Sequence, residues 1–243
     1  MERLTVYPDA HALTRAAAAY VAGAALRAVA LRGRFTVALA GGGTPRPVYE
    51  RLARDPLAAA VPWDRVHVVF GDERCVPPDH PDSNYRMARE ALLDHVPLPS
   101  DQIHRMRGEA DPLTAAAAYE SELNALLSGA GRPALDMVLL GLGDDAHTAS
   151  LFPGTPALNE RERWVAAQHV PKLDAWRLTL TPPALNAARE AVFLVSGAGK
   201  TAALRAVRHG PQDPERLPAQ IVRPASGVRT WLVDADAAGE ETS

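Results

Sequence analysis

Apolar positions follow two rhythms along the chain, and their alternation predicts stacked strands and helices. Short, predominantly apolar runs bounded by turn residues occur at 35–40, 66–70, 137–140 and 191–196, the third of them without a polar residue. Runs of that length without polar alternation are expected of parallel strands covered on both faces. Residues 164–170, 176–180 and 229–233 read as further strands, and 103–106 as a short one. In the second of these, Arg177 and Thr179 alternate with Leu178 and Leu180 and so share a face. Between the runs the period lengthens. From 11 to 32, Leu13, Ala17, Tyr20, Val21, Ala24, Ala28 and Leu31 recur every three or four positions, which predicts one buried face of a long helix, capped by Asp9 and stopped by Gly33.

A second helix is predicted from Pro45 to about residue 60, with Thr44 as its cap and Val48, Leu52 and Leu57 inward. Ser83 caps a third that reaches about residue 95 and carries Tyr85, Met87, Leu92 and Leu93. A fourth covers 111–127 with Leu113, Ala117, Leu123 and Leu126 inward, and a fifth runs from 201 to about 208. Pro182 and Pro183 open a short helical turn. The loop at 128–133 leads into the strand at 137–140, residues 218–222 are expected to pack beneath the loop that follows it, and 237–243 to fray. Residues 1–36 hold one strand candidate and one helix, with no DNA-reading unit. There is no internal repeat or low-complexity linker, so one α/β domain over residues 1–243 is expected.

Charge and composition narrow the function. A formal net charge of −3 over 243 residues gives no reason to expect nucleic acid or an anionic membrane as partner, so any basic site has to be local. One cysteine, Cys75, excludes an internal disulfide, and no Cys/His cluster has zinc spacing. A reducing compartment without structural metal is expected. The start MERLTVYPDAHALTR lacks a signal-peptide pattern, and the uncharged stretch between Arg15 and Arg27 is too short to span a bilayer. The expectation is cytoplasmic. Of 26 basic residues only Lys172 and Lys200 are lysines.

Candidate chemistry collects where apolar runs end. The segment 136–153, DMVLLGLGDDAHTASLFP, takes a buried strand into Gly141 and Gly143 and then Asp144, Asp145 and His147; open α/β sheets bind ligands at such carboxyl ends. Gly141, Gly143 and Ala146 also fit the dinucleotide fingerprint, but two acids would face the pyrophosphate, and Phe152, Pro153 and Gly154 interrupt the helix that the fingerprint needs. Gly41, Gly42 and Gly43 lead into Thr44 and Pro45 at a helix start, whose free N–H groups and dipole suit an anion, phosphate above all. With no Walker lysine, that phosphate is expected on a small substrate. The run at 66–70 ends in Gly71, Asp72, Glu73 and Arg74, three charges that mark an active-site position. Arg74 either meets a substrate anion or carbonyl or forms a surface pair with Asp72 or Glu73. Lys200, after Gly197 and Gly199, either holds a second anionic group or lies solvated.

Taken together, GLGDDAHTASLFP at 141–153, LAGGGTP at 39–45, GDER at 71–74, SNY at 83–85, RLTLTPP at 177–183 and GAGK at 197–200 resemble the 6-phosphogluconolactonase family, a branch of the glucosamine-6-phosphate isomerase superfamily. The likeness runs from the first helix to the last strand. It implies a modified Rossmann-like α/β fold, a mostly parallel sheet with helices on both faces. It also implies hydrolysis of 6-phospho-D-glucono-1,5-lactone without metal or cofactor. By this resemblance His147 is the general base, Asp145 orients it, and Arg74 serves either the carbonyl or the phosphate. Gly42, Gly43, Thr44, Lys200 and Arg177 hold the 6-phosphate. Two departures stand out. Ala146 replaces the usual glycine before the histidine, making a positive backbone angle costlier there, and Ala40 and Gly43 replace serines of the phosphate loop. The glucosamine-6-phosphate deaminase branch differs at the loop, IAFNEP against TASLFP at 148–153, and in having DEY against Asp72, Glu73 and Arg74. A non-catalytic sugar-phosphate sensor would need an output module that residues 1–36 do not supply.

Overall fold

A computed structural model of the chain describes residues 1–128 and 134–239; residues 129–133 of the loop predicted at 128–133 and residues 240–243 of the tail predicted at 237–243 lie outside the described residues. In chain order the strands are β1 (Glu2–Tyr7), β2 (Phe35–Leu39), β3 (Val66–Phe70), β4 (Asp72–Arg74), β5 (Met137–Leu140), β6 (Val165–Val170), β7 (Ala175–Leu180), β8 (Glu190–Val195) and β9 (Val228–Asp234). The helices are α1 (Ala10–Arg32), α2 (Pro45–Leu52), α3 (Leu57–Ala60), α4 (Asn84–Ala91), α5 (Pro112–Leu127), α6 (Pro182–Ala187), α7 (Thr201–His209) and α8 (Ala235–Ala238).

Six strands form one sheet in the order β1-β9-β8-β5-β2-β3, and every neighbouring pair in it is parallel. All residues of β2 and of β5 are buried. Successive side chains of a strand point to opposite faces, so both faces are covered, as the apolar runs predict. Complete burial of Val138, Leu139 and Leu140 contributes about 1.5–3 kcal/mol for each side chain relative to exposure and leaves no room for a charge in the strand itself. The chemistry has to come after it.

A second sheet of three antiparallel strands, β4-β7-β6, was not evident in the apolar pattern. The β6–β7 hairpin packs under α5, and β4 joins it directly after β3, with Asp72 opposite Thr179 and Arg74 opposite Arg177. The charged end of one strand thus becomes an edge strand of another sheet.

Several sequence expectations are corrected. The helix starting at Pro45 stops at Leu52, and a separate turn begins at Leu57 after Pro56, a residue whose missing N–H and fixed ring do not suit a helix interior. Thr44 has helical angles and its side chain makes no capping bond. In α1, Asp9 caps through its carboxylate and Gly33 is left-handed, as predicted, but Leu31 is exposed. In α5 the buried face is Ala115, Ala116, Tyr119, Leu123 and Leu127, so Leu113 and Ala117 face outward. Only an isolated bridge, Ile103 to Val68, stands where a strand at 103–106 was expected. Ala237 and Ala238 are buried in α8, capped by Asp234, instead of fraying. Among the described residues no helix is long and apolar enough to cross a membrane.

Candidate active site

Strands β8, β5 and β2 are adjacent in the middle of the parallel sheet, so their carboxyl ends lie side by side at the ~4.8 Å strand spacing. The three loops leaving them carry Lys200, His147 and the Gly41–Gly43 run. They meet at a cleft of about 660 Å³, within the range of small-molecule sites. Every predicted site residue lines this cleft: His147, Asp145, Arg74, Gly42, Gly43, Thr44, Arg177 and Lys200. Glu73 does not. The charged triplet after β3 splits, with Asp72 and Arg74 in the cleft and Glu73 turned into the protein.

The loop after β5 is tied at many points. Gly143 donates to the carbonyl of His147 (2.8 Å) and accepts from Ala146 (3.0 Å), closing a tight turn. Thr148 bonds back to the Gly141 carbonyl (2.8 Å), Ser150 Oγ donates to Asp72 (2.7 Å), and the Ser150 N–H donates to Thr179 (3.2 Å). Below the loop the Ala219 N–H donates to the Ala146 carbonyl (3.0 Å), so residues 218–222 do underpin it as predicted. No helix follows Ala146; Thr148 and Leu151 form a bridge instead, which removes the structural context of a dinucleotide fingerprint.

Within this frame His147 Nδ1 lies 2.5 Å from Asp145 Oδ1, and its ring stacks on Phe152 at 4.2 Å between centroids. Burial alone would push the Asp145 carboxyl up. Hydrogen bonds from Lys172 and His147, together with the imidazole charge, outweigh it and hold the pKa at about 2. An ionised carboxylate only accepts, so the shared proton belongs on Nδ1 and Nε2 keeps its lone pair. A neutral imidazole whose Nε2 opens on the cleft can take a proton from water.

Ala146 adopts φ 61° and is buried, as its place in the loop required. Ala146→Gly relieves about 1–2 kcal/mol of left-handed strain but removes a buried methyl worth about 0.8 kcal/mol and frees the unfolded chain. The expected result is a change of no more than about 1 kcal/mol in unfolding free energy by denaturant titration, with activity retained. A loss beyond about 2 kcal/mol would mean that the methyl packing outweighs the strain.

The opposite wall is equally fixed. Tyr49 both donates to and accepts from the backbone of Ala40 at 2.9 Å, and its burial pushes the phenol pKa up. Gly42 has φ 99°, open to glycine at little cost. A Cβ on Gly41 would fall 1.8 Å from Asn84 Oδ1, so only glycine admits Asn84, which donates to Asp72 (3.2 Å). Glu73 supports that helix start: its carboxylate accepts the N–H groups of Arg74, Asn84 and Tyr85 at 2.7–2.8 Å. Its burial, against those bonds, raises its pKa. The GDER and SNY motifs are therefore one unit.

Arg74, Arg177, Lys172 and Lys200 line the cleft against Asp72, Asp144 and Asp145, so a locally basic site sits in a net acidic chain. Arg74 and Arg177 are cross-strand partners. Burial, then the charge of Arg74, lowers the Arg177 pKa, as expected of two guanidiniums held together. Arg74 donates to the Asp82 carbonyl. Lys200 is ion-paired with exposed Asp144, which lowers the Asp144 pKa. Asn84, Ser150, Phe152 and Lys172, which also line the cleft, were not singled out from sequence as site residues. Asn84 and Ser150 lay inside motifs already noted, and their polarity beside Asp72 was the available signal.

A sequence profile described as glucosamine-6-phosphate isomerases/6-phosphogluconolactonase matches residues 8–231. A Synechocystis protein named 6-phosphogluconolactonase is 49% identical over 214 residues, 87% of this chain and 86% of that protein. One of the same name from Mycobacterium bovis is 40% identical over 98% and 97%. The solved 6-phosphogluconolactonase of Trypanosoma brucei superposes with a TM-score of 0.88 at 29% identity, covering 100% of this chain and 99% of that one. A monomeric glucosamine-6-phosphate deaminase, at TM-score 0.82 and 21% identity over 97% and 98%, shares the fold.

Proposed function

Because the chain belongs to the family of glucosamine-6-phosphate isomerases and 6-phosphogluconolactonases, we propose that it is a 6-phosphogluconolactonase, with residues 1–243 acting as one domain. It hydrolyses 6-phospho-D-glucono-1,5-lactone to 6-phospho-D-gluconate, a step of the oxidative pentose phosphate pathway. The observation that carries this reading is that the His147–Asp145 pair opens on the same cleft as the glycine loop and its cations.

The reaction runs as follows. Nε2 of His147 takes a proton from water as its oxygen attacks C1, and Asp145 offsets the charge that develops on the ring. The tetrahedral intermediate collapses by breaking the bond from C1 to the ring oxygen. That oxygen takes the proton back from the imidazolium and becomes the C5 hydroxyl. No redox partner or group carrier is needed. Backbone N–H groups of Gly42, Gly43 and Thr44, at the start of α2, hold the 6-phosphate with Lys200 and Arg177. Arg74 sits opposite Arg177 across β4 and β7, which supports a phosphate role over a carbonyl one, since two adjacent guanidiniums suit a dianion.

The test is acid release from freshly made lactone, corrected for spontaneous opening. Rapid turnover is expected. Ammonia release from glucosamine 6-phosphate without lactone hydrolysis would move the chain to the deaminase branch, and tight binding of 6-phosphogluconate without turnover would make it a sensor.

The pairing of Lys200 with Asp144 makes the carboxylate a competitor of the phosphate. Lys200→Ala is expected to raise KM about tenfold or more, the loss of one charge-assisted phosphate contact, with a smaller effect on kcat. Asp144→Asn is expected to lower KM by about 2- to 5-fold, the range of an exposed ion pair, and more so at low ionic strength. Steady-state kinetics at two salt concentrations check both; an unchanged KM in both variants would take the phosphate away from Lys200.

A further inference from the structure

We propose that Lys172 is a positioning residue for this reaction, anchoring the outer oxygen of Asp145 so that the inner one stays aligned on His147. The inference rests on the reading of His147 as the base. Asp145 Oδ1 faces the imidazole at 2.5 Å and also accepts the His147 N–H at 3.3 Å, whereas Oδ2 accepts from Lys172 Nζ at 2.6 Å. The terminal torsion of an aspartate is broad. One anchored oxygen leaves the carboxylate plane free to swing, and two fix it.

The anchor comes from a different sheet. Lys172 stands at the tip of the β6–β7 hairpin, just past the last paired residues Val170 and Ala175. The tip is itself built: residues Pro171–Leu173 form a 3₁₀ turn, Pro171 fixes a backbone angle, and Asp174 closes the turn at φ 45° while its carboxylate meets His169 Nε2 at 3.2 Å. The charged groups around Asp145 are Lys172, His147 and adjacent Asp144, which is itself tied to Lys200. The two lysines of the chain therefore hold the two consecutive aspartates of the catalytic loop, one from the parallel sheet and one from the antiparallel sheet. Lys172 Nζ lies on a side chain 66% exposed, where an ion pair adds little to folding stability. Its consequence is alignment.

The experiment is a double-mutant cycle on the full chain, using wild type, Lys172→Met, Asp145→Asn and the double variant, with Lys172→Arg as the conservative control. In the wild-type background Lys172→Met is expected to lower kcat about 3- to 10-fold, the scale of one partly exposed charge-assisted bond, with KM within about twofold. Lys172→Arg is expected to restore most of the loss. In the Asp145→Asn background Lys172→Met is expected to cost nothing further, because its partner is already altered. An equal fall in both backgrounds, a change confined to KM, or an unchanged kcat would overturn the proposal. A readout independent of turnover is the proton resonance of His147 Nδ1–H, expected to move upfield in Lys172→Met; an unmoved resonance also overturns it. A wild-type protein without lactone hydrolysis would instead overturn the proposed function.

Discussion

His147→Ala is expected to lower kcat by about two to four orders of magnitude, the usual contribution of a positioned general base, while KM changes little. The residue lies on the loop after β5, where its side chain is hydrogen-bonded to Asp145 and stacked on Phe152, so binding of 6-phosphogluconate should survive the substitution. The fold should survive too. The loop is held by backbone and hydroxyl bonds of Gly143, Ala146, Thr148 and Ser150, and the side chain lost is a third exposed, its ring stacked on Phe152. Against the effect of its burial, hydrogen bonds from Lys172 and His147 lower the Asp145 pKa to about 2, so an acid-side limb of the wild-type profile in mild acid does not come from loss of that carboxylate. The alanine variant should lose that limb along with its activity. A folded variant that keeps wild-type turnover and the same pH profile would remove His147 from the reaction and leave the cleft as a binding site.

The parallel sheet was readable in the sequence because it is buried on both faces. Strands β2, β3, β5 and β8 carry mostly apolar runs, broken within β2 and β3 only by Thr36 and His67, and glycines and charged side chains gather just past each run, so strand and site were found by one signal. Helix phase was less legible. The stretch Ala115–Ala118 offers the same small side chain on every side, so nothing local chooses between Leu113 and Ala116 as the inward position, and packing against the hairpin decides it. Glu73 was misplaced for a related reason. A carboxylate next to Asp72 and Arg74 looks like site chemistry until the N–H groups of Asn84 and Tyr85 are brought to it by the proline-rich turn at 77–81. The pairing of Lys172 with Asp145 joins two sheets across 27 positions of chain, and no spacing rule reaches that far. What the residue types did disclose was local strain: the alanine at 146, where a glycine was expected, has the positive φ anticipated for it.

Gly143→Ala is expected to reduce turnover about a hundredfold, the cost of displacing a reacting group by an ångström or so, although it alters no group that touches substrate. A Cβ built at Gly143 would lie 2.0 Å from His147 Nδ1, 2.2 Å from Cε1 and 2.8 Å from Asp145 Oδ1. Ordinary contact needs about 3.4 Å or more, so the imidazole has to retreat by more than an ångström and the bond to Asp145 cannot keep its length. Backbone strain does not enter, because Gly143 is not among the residues with positive φ, and the main-chain bonds of the turn remain available to alanine. The defect should therefore be confined to the dyad: thermal unfolding close to wild type, unchanged affinity for 6-phosphogluconate, and a much lower kcat. The decisive comparison is the pair of substitutions. If Gly143 acts only by making room for the imidazole, Gly143→Ala has almost no effect once His147 is alanine, since the space it would fill is already empty. A further large loss in that background would mean that the added methyl harms the reaction by another route, such as taking space in the cleft that the substrate needs, and room for the base would no longer be the sole reason for the glycine.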